Sequence, residues 1–207
     1  AILANGMSFK DYTIETFKGG ADDGIVSQGG SPTGYFLRKY IQEATSFEPG
    51  KEAVSKHHWV IYRYAETLLT YAESMVNAFN DVNYTDETYK YSALWAINEV
   101  RKNADMPLIP SMGKDEFMER LYNEWRVEFA FEDHRFWDIR RWLIADDEGV
   151  MKGAMYGLQL SAVTGAPGKV HYKPYVFENR LWSDRSYLHP IKQTEIDKGY
   201  MLQNPGW

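Results

Sequence analysis

One helical stretch, residues 117–142, constrains the fold more than any other, because it puts carboxylates on its own apolar stripe. At about 100° per residue, Phe117, Leu121, Trp125 and Phe129 recur every fourth position and form one face. Glu128 and Glu132 fall inside that face. A carboxylate turned toward a core is costly unless a cation and hydrogen-bond donors meet it. Arg135, Arg140 and Arg141 follow directly, and Arg63 and Arg101 sit on earlier helical segments. The pattern therefore predicts a buried ion-pair network of Arg63, Arg101, Glu128, Glu132 and Arg140 where several helices meet.

The neighbouring segments supply those helices. Residues 58–79 keep apolar positions in helical register from Ile61 and Tyr64 through Leu68, Leu69, Ala72, Met75 and Val76 to Phe79. Asn80 to Asn83 stop that helix, and Thr85 with Asp86 and Glu87 suits the start of the next, over 85–104. Its stripe is Ala93, Ala96, Ile97, Val100 and Ala104, and Pro107 and Pro110 follow it. A third helix is expected over 114–131, capped by Ser111, with Asp115 and Glu116 in its first turn. A fourth is expected over 134–144, with Phe136, Ile139 and Leu143 inward. Trp125, Trp137 and Trp142 read as core. Short connections make these antiparallel pairs, and the first spans close to the roughly 34-residue tetratricopeptide period. Leu68, Tyr71, Ala72 and Ala93 fit that consensus loosely.

The flanks differ. Residues 1–56 are loop-rich, with turn signals at Gly19-Gly20, Asp22-Asp23-Gly24 and Gly29-Gly30-Ser31-Pro32, and a strand over 34–41. A structureless stretch of that length has to lie over something else. In residues 146–207, Gly153, Gly157, Gly165, Gly168, Pro167 and Pro174 break any long helix. Runs 170–177 and 181–188 read as a two-stranded ribbon, and 194–198 as a short helix. The fold class is mostly α: antiparallel helix pairs of tetratricopeptide-like packing, long loops and a small β ribbon. The segments are 1–56, a helical block over 57–145, and a ribbon with the C-terminal segment over 146–207.

Composition excludes several functions. A formal net charge of −6 argues against a nucleic-acid partner. With no cysteine there is no disulfide, thiolate nucleophile or zinc-thiolate site. No apolar run approaches the roughly 20 residues needed to span a bilayer. The opening at Ala1-Ile2-Leu3, without an initiating Met, is read as a processed end or as part of a longer protein.

Four ordered motifs over about two-thirds of the chain resemble the C-terminal half of SusD/RagB-family proteins, outer-membrane nutrient-binding lipoproteins of Bacteroidetes. They are RYAETLLTYAE at 63–73, AINEVR at 96–101 with Met106-Pro107, EWRVEFAFEDHRFWDIRRW at 124–142, and LHPIKQTEID at 188–197 with QNPG at 203–206. Asp133 stands where the family often carries glycine before His134. The resemblance implies surface binding of oligosaccharides without hydrolysis, in polysaccharide utilisation and nutrient uptake. It implies docking on a SusC-like TonB-dependent outer-membrane porin. It also implies a lipid anchor and an N-terminal half lying outside this chain.

Glu124, Glu128 and Glu132 recur every fourth residue, but a bundle di-metal site wants Glu-x-x-His on facing helices, and His134 follows Glu132 by two. His57-His58 diverge at a helix start. No metal and no cofactor is expected. A glycosidase needs two carboxylates flanking an open cleft, whereas Glu128 and Glu132 lie on an apolar stripe. No Gly-x-Ser-x-Gly elbow occurs, so no hydrolase triad is assigned. Sugar-stacking aromatics need exposed, rigid faces of the kind that loops on a scaffold provide. The ligand-binding candidates are therefore Tyr12 and Phe17 in the N-terminal loops and Tyr156, Tyr175 and Trp182 in the C-terminal region. Asp22, Asp23 and Asn179 could hydrogen-bond hydroxyls, but solvated loop polarity is the preferred reading of them. Two alternatives stand beside glycan binding: a helical-repeat protein–protein scaffold and a glycoside-processing enzyme.

Overall fold

The computed structural model describes residues 2–24, 30–56, 58–166 and 169–207, and helix is the larger part of its regular secondary structure. The chain divides into a helical unit, His58–Trp137, and a second unit built from Ala1–His57 with Asp138–Trp207. Among the described residues no helix is long and apolar enough to cross a membrane.

In the helical unit, α1 runs Tyr64–Phe79, α2 Ala93–Asn103 and α3 Lys114–Glu128. Their stripes form one core: Leu68, Leu69, Ala72, Met75 and Val76; Ala93, Ala96, Ile97 and Val100; then Phe117, Leu121, Trp125 and Phe129. Ala72, Ala93 and Ala96 are completely buried, so small side chains let α1 and α2 approach closely. Arg63, Tyr64 and Leu68 share a groove with Val100 and Asn103, which sets the start of α1 beside the end of α2 and makes the pair antiparallel. Helix-pair packing of the tetratricopeptide type is thus present.

The helix ends differ from expectation for identifiable reasons. Helix α1 starts at Tyr64, not 58, because Arg63 is extended (φ −146°, ψ 158°) and hands its guanidinium to Glu128 and Glu132. Ile61, expected in the core, is 89% exposed, and Tyr64 is exposed too. Helix α2 starts at Ala93, not 85. Asp86 captures the backbone N–H groups of Thr88 and Tyr89 in a local turn, and Ser92 is the cap, accepting from Trp95 N at 3.1 Å. Ala104 is exposed beyond its end. Gly113, not Ser111, occupies the N-cap of α3, and Ser111 Oγ instead accepts from Asn83 Nδ2 at 2.6 Å. Helix α4, His134–Arg141, ends three residues before 144. Leu143 turns into the left-handed region (φ 56°) and out to solvent. Of its expected inward residues only Ile139 is buried, while Phe136 and Trp137 are exposed and Trp142 is half-buried.

The second unit is built on a ribbon. Strand β5, Gly153–Ala162, pairs antiparallel with β6, Val170–Arg180, and opposes Gly157 to Tyr175 and Leu160 to Tyr172. The expected partner, residues 181–188, is not a strand; it holds a 3₁₀ turn at Asp184–Tyr187. Pro174 is tolerated because a two-stranded ribbon leaves an open edge on each side. Pro167 and Gly168, read above as breakers, lie outside the described residues, as does Gly29. Among its described residues the N-terminal segment carries only two-residue strands: β1, Ile2–Leu3, paired with β4, Phe36–Leu37, and β2, Ser8–Phe9, paired with β3, Tyr12–Thr13. What this segment lies over is the ribbon: Lys18 N donates to Leu160 O at 2.7 Å and Leu158 N to Thr33 O at 3.1 Å. A last short helix, α5, spans Gln193–Ile196. The C-terminus folds back upon this region, with Gln203 pairing both backbone groups of Ile191 and Trp207 Nε1 donating to Arg185 O and Leu188 O.

Candidate functional site

Two glycines decide where the N-terminal segment can cross the ribbon. Gly34 has φ +77°, and a Cβ there would stand 2.5 Å from Leu158 O. A Cβ on Gly157 would stand 2.8 Å from Pro32 O. Only glycine at both places lets the two backbones meet. The Tyr175 hydroxyl then donates to Pro32 O and clamps the crossing.

Beside this crossing lies a cleft of about 270 Å³, lined by Thr16, Lys18, Asp23, Ser31, Gln159 and Tyr175 among others. Its polar groups come from three places. Residues 15–24 fold into a tight loop in which Asp22 Oδ2 accepts from Glu15 N and the Tyr12 hydroxyl, both at 2.8 Å. That bond holds the Tyr12 phenol above its ordinary pKa. Asp23 is fixed through both oxygens, which accept from Gly19 N and Gly24 N at 2.9 Å each. Ser31 Oγ bridges Thr33 Oγ1 and Tyr35 O. Thr16 is 95% buried, given its 5% exposure, and its Oγ1 has no hydrogen-bond partner among the described residues.

Of the aromatic candidates, Tyr175 lines the cleft. Phe17 is bridged through its backbone to Leu160 but does not line the cleft, and Tyr12 braces the loop through Asp22. Tyr156 is two-thirds exposed, but it pairs with Val176, one residue out of phase with Tyr175, and so points to the other face of the ribbon. Trp182 is elsewhere: its ring meets Tyr187 edge-on at 5.1 Å and lies under the Arg140 guanidinium. Asn179 pairs with Ala154 at the far end of the ribbon. Thr16, Lys18, Ser31 and Gln159 were not singled out from sequence. Gly34 and Gly157 were the available signal, since each marks a backbone crossing.

The charged stretch has its own geometry in the helical unit. Arg63 donates Nε to Glu132 Oε2 at 2.8 Å and Nη2 to Glu132 Oε1 at 3.0 Å. The same guanidinium reaches the Glu128 carboxylate and its carbonyl, and lies 4.3 Å from the Phe129 ring centre. Burial opposes its charge, but the bonds and charges of Glu132 and Glu128 outweigh burial and hold it above the ordinary arginine pKa. Arg101 donates to the buried Glu124 at 2.6 Å and to Pro107 O. Arg140 lies in the other unit, where its Nε donates to Ser186 O and burial lowers its pKa. His57, half of the His57-His58 pair, is outside the described residues. Asp133 has φ 64°, the left-handed conformation that suits the glycine of the resembled motif and that aspartate tolerates better than most residues.

The SusD family model matches residues 5–207. Among solved structures, a SusD-like protein from Bacteroides fragilis NCTC 9343 is similar over 100% of this chain and 37% of its own, with 26% identity and a TM-score of 0.75. A SusD superfamily protein from Parabacteroides distasonis ATCC 8503 shares the fold over 84% of this chain and 32% of its own, with 21% identity and a TM-score of 0.54. This chain therefore spans roughly a third of the length of those structures. No curated protein matches it.

Proposed function

We propose that this chain, which belongs to the SusD family, is part of a cell-surface protein that binds glycans without cleaving them and passes them to a SusC-like TonB-dependent outer-membrane porin. The observation that carries this reading is the ribbon cleft. It offers an ammonium, hydroxyls, an amide and a fixed carboxylate beside the Tyr175 ring. Sugar rings need that mixture, because each presents hydroxyls around its rim and C–H groups on its faces. A cleft of about 270 Å³ is small. It suits one ring of a chain whose remaining units run over the surface. The lipid anchor and the outer-membrane location belong to this proposal, with the anchor outside the chain.

A non-catalytic role fits the placement of the acids. Glu128 and Glu132 are engaged by Arg63, and Asp23 is held by two backbone donors. A protein partner has separate support: Trp59, Ile61, Tyr62 and Tyr64 expose large apolar surface in one short run. We assign that run to protein docking and the cleft to sugar.

Calorimetric titration of the full-length protein with neutral and acidic polysaccharides tests the reading, using Gln159→Ala and Tyr175→Phe as cleft variants. The expected result is binding of at least one polysaccharide, weakened about three- to tenfold by Gln159→Ala through the loss of one hydrogen-bonding side chain. Binding that neither variant changes would move the site away from the cleft. No binding to any polysaccharide would end the glycan reading.

A further inference from the structure

The cleft's polar groups are not equivalent, and the difference carries information about the sugar. Asp23 is locked, since each carboxylate oxygen already accepts one backbone N–H. Each oxygen keeps a further lone pair with which to accept a hydroxyl. Ser31 Oγ is committed to Thr33 and Tyr35 O, and the Tyr175 proton to Pro32 O. What remains is donor capacity. The Lys18 side chain is exposed at the cleft and meets no carboxylate among the described residues, although its backbone is pinned to Leu160 O. Gln159 adds an exposed amide, whereas the Thr16 hydroxyl is sealed within the wall and out of a ligand's reach.

Resting on the glycan reading above, we infer that the cleft takes an acidic sugar residue, a uronate, whose carboxylate pairs with Lys18 and Gln159 while a ring hydroxyl donates to Asp23. A uronate carries both groups on one ring. A neutral sugar answers Asp23 but supplies no counter-charge to Lys18. A simple anion answers Lys18 but meets the Asp23 carboxylate in the same cleft. The two ionised groups together select a ligand that is hydroxyl-bearing and anionic at once.

The test uses the full-length protein with oligogalacturonate and alginate oligosaccharides, each beside its carboxyl-reduced form, at low and high salt. An acid form is expected to bind about tenfold more tightly than its reduced form, with the margin shrinking as salt screens the pair. Lys18→Met should erase that margin and Lys18→Arg should keep most of it. Gln159→Ala should narrow it, provided the variant melts as the wild type does. Equal affinity for acid and reduced forms, or a margin that survives Lys18→Met, overturns the inference and leaves neutral-glycan binding in place. Failure of both forms, together with failure of the wider polysaccharide series, overturns the glycan reading itself.

Discussion

Replacing Arg63 with Met removes one guanidinium and four hydrogen bonds: two to the Glu132 carboxylate, one to the Glu128 carboxylate and one to the Glu128 carbonyl. The Met side chain keeps most of the packing against Phe129, so the loss is mainly electrostatic. The Glu132 side chain is only 8% exposed and that of Glu128 20%. Removing one partner of a buried pair costs about 3–5 kcal/mol, because the remaining charge loses its compensation. Arg63 is 28% exposed, so water reaches part of the site and the lower end applies, about 3 kcal/mol. With a urea m-value of about 2 kcal/mol/M, the midpoint should fall by about 1.5 M at unchanged slope. The melting temperature should fall by about 6–12 °C. Far-UV circular dichroism reads the helical unit directly. Combining Arg63→Met with Glu132→Gln should cost clearly less than the two separate losses, since the second change removes the charge that the first leaves behind. A midpoint shift below about 0.5 M, or strictly additive losses, would refute the claim that this pair locks the ends of α1 and α3.

Ser92→Ala should cost about 1 kcal/mol, because Ser92 Oγ caps α2 through Trp95 N. Thr85→Ala, at the position where sequence alone places the cap, should change stability by less than about 0.5 kcal/mol in the same urea titration. Tyr187→Phe should raise the Asp146 pKa toward the ordinary carboxylate value, because the Tyr187 hydroxyl bond is the main cause of its depression. A depressed carboxylate contributes stability that is present above its unfolded pKa and lost as pH falls through the folded one. The wild type should therefore lose more stability on acidification than Tyr187→Phe. Tyr187 itself is raised, first by burial and then by Asp146, so its contribution is complete below the ordinary phenol range and fades as pH climbs through its folded value. NMR titration of the Asp146 carboxyl carbon checks the first statement, and melts across pH check the others.

The helical core was legible because its signals are local. Phe117, Leu121, Trp125 and Phe129 recur with the helical period, and all four are at most 3% exposed. Ala72, Ala93 and Ala96 lie on the same periodic stripes and are completely buried. Helix ends were less legible, because several side chains compete to cap them. Thr85, Asp86 and Ser92 all suit an N-terminus. Asp86 was taken by its own turn, which left Ser92 to the helix. Ser111 was lost to Asn83, a residue 28 positions away in sequence. Arg63 shows the opposite effect. A helical pattern runs through it from residue 58, but a long-range ion pair holds it extended and cuts off the first turn.

The cleft was nearly invisible, and the reason lies in what glycine signals. Read alone, Gly34 opens a short strand and Gly157 breaks a helix. Together they form one device, since each leaves the space that the other strand's carbonyl occupies. A backbone crossing between residues more than a hundred positions apart leaves no period in the sequence. The most charged stretch, at 124–142, drew attention because its chemistry is written locally. Arg63 and Arg101 commit themselves to Glu132, Glu128 and Glu124. Carboxylates so engaged serve the fold before they serve a ligand. In the cleft, Lys18 stands out for the opposite reason: the crossing of two distant backbones sets it beside Gln159 and Tyr175 with donor capacity that the fold does not use. On the proposed reading, unspent capacity of that kind, more than density of charge, marks the surface that binds.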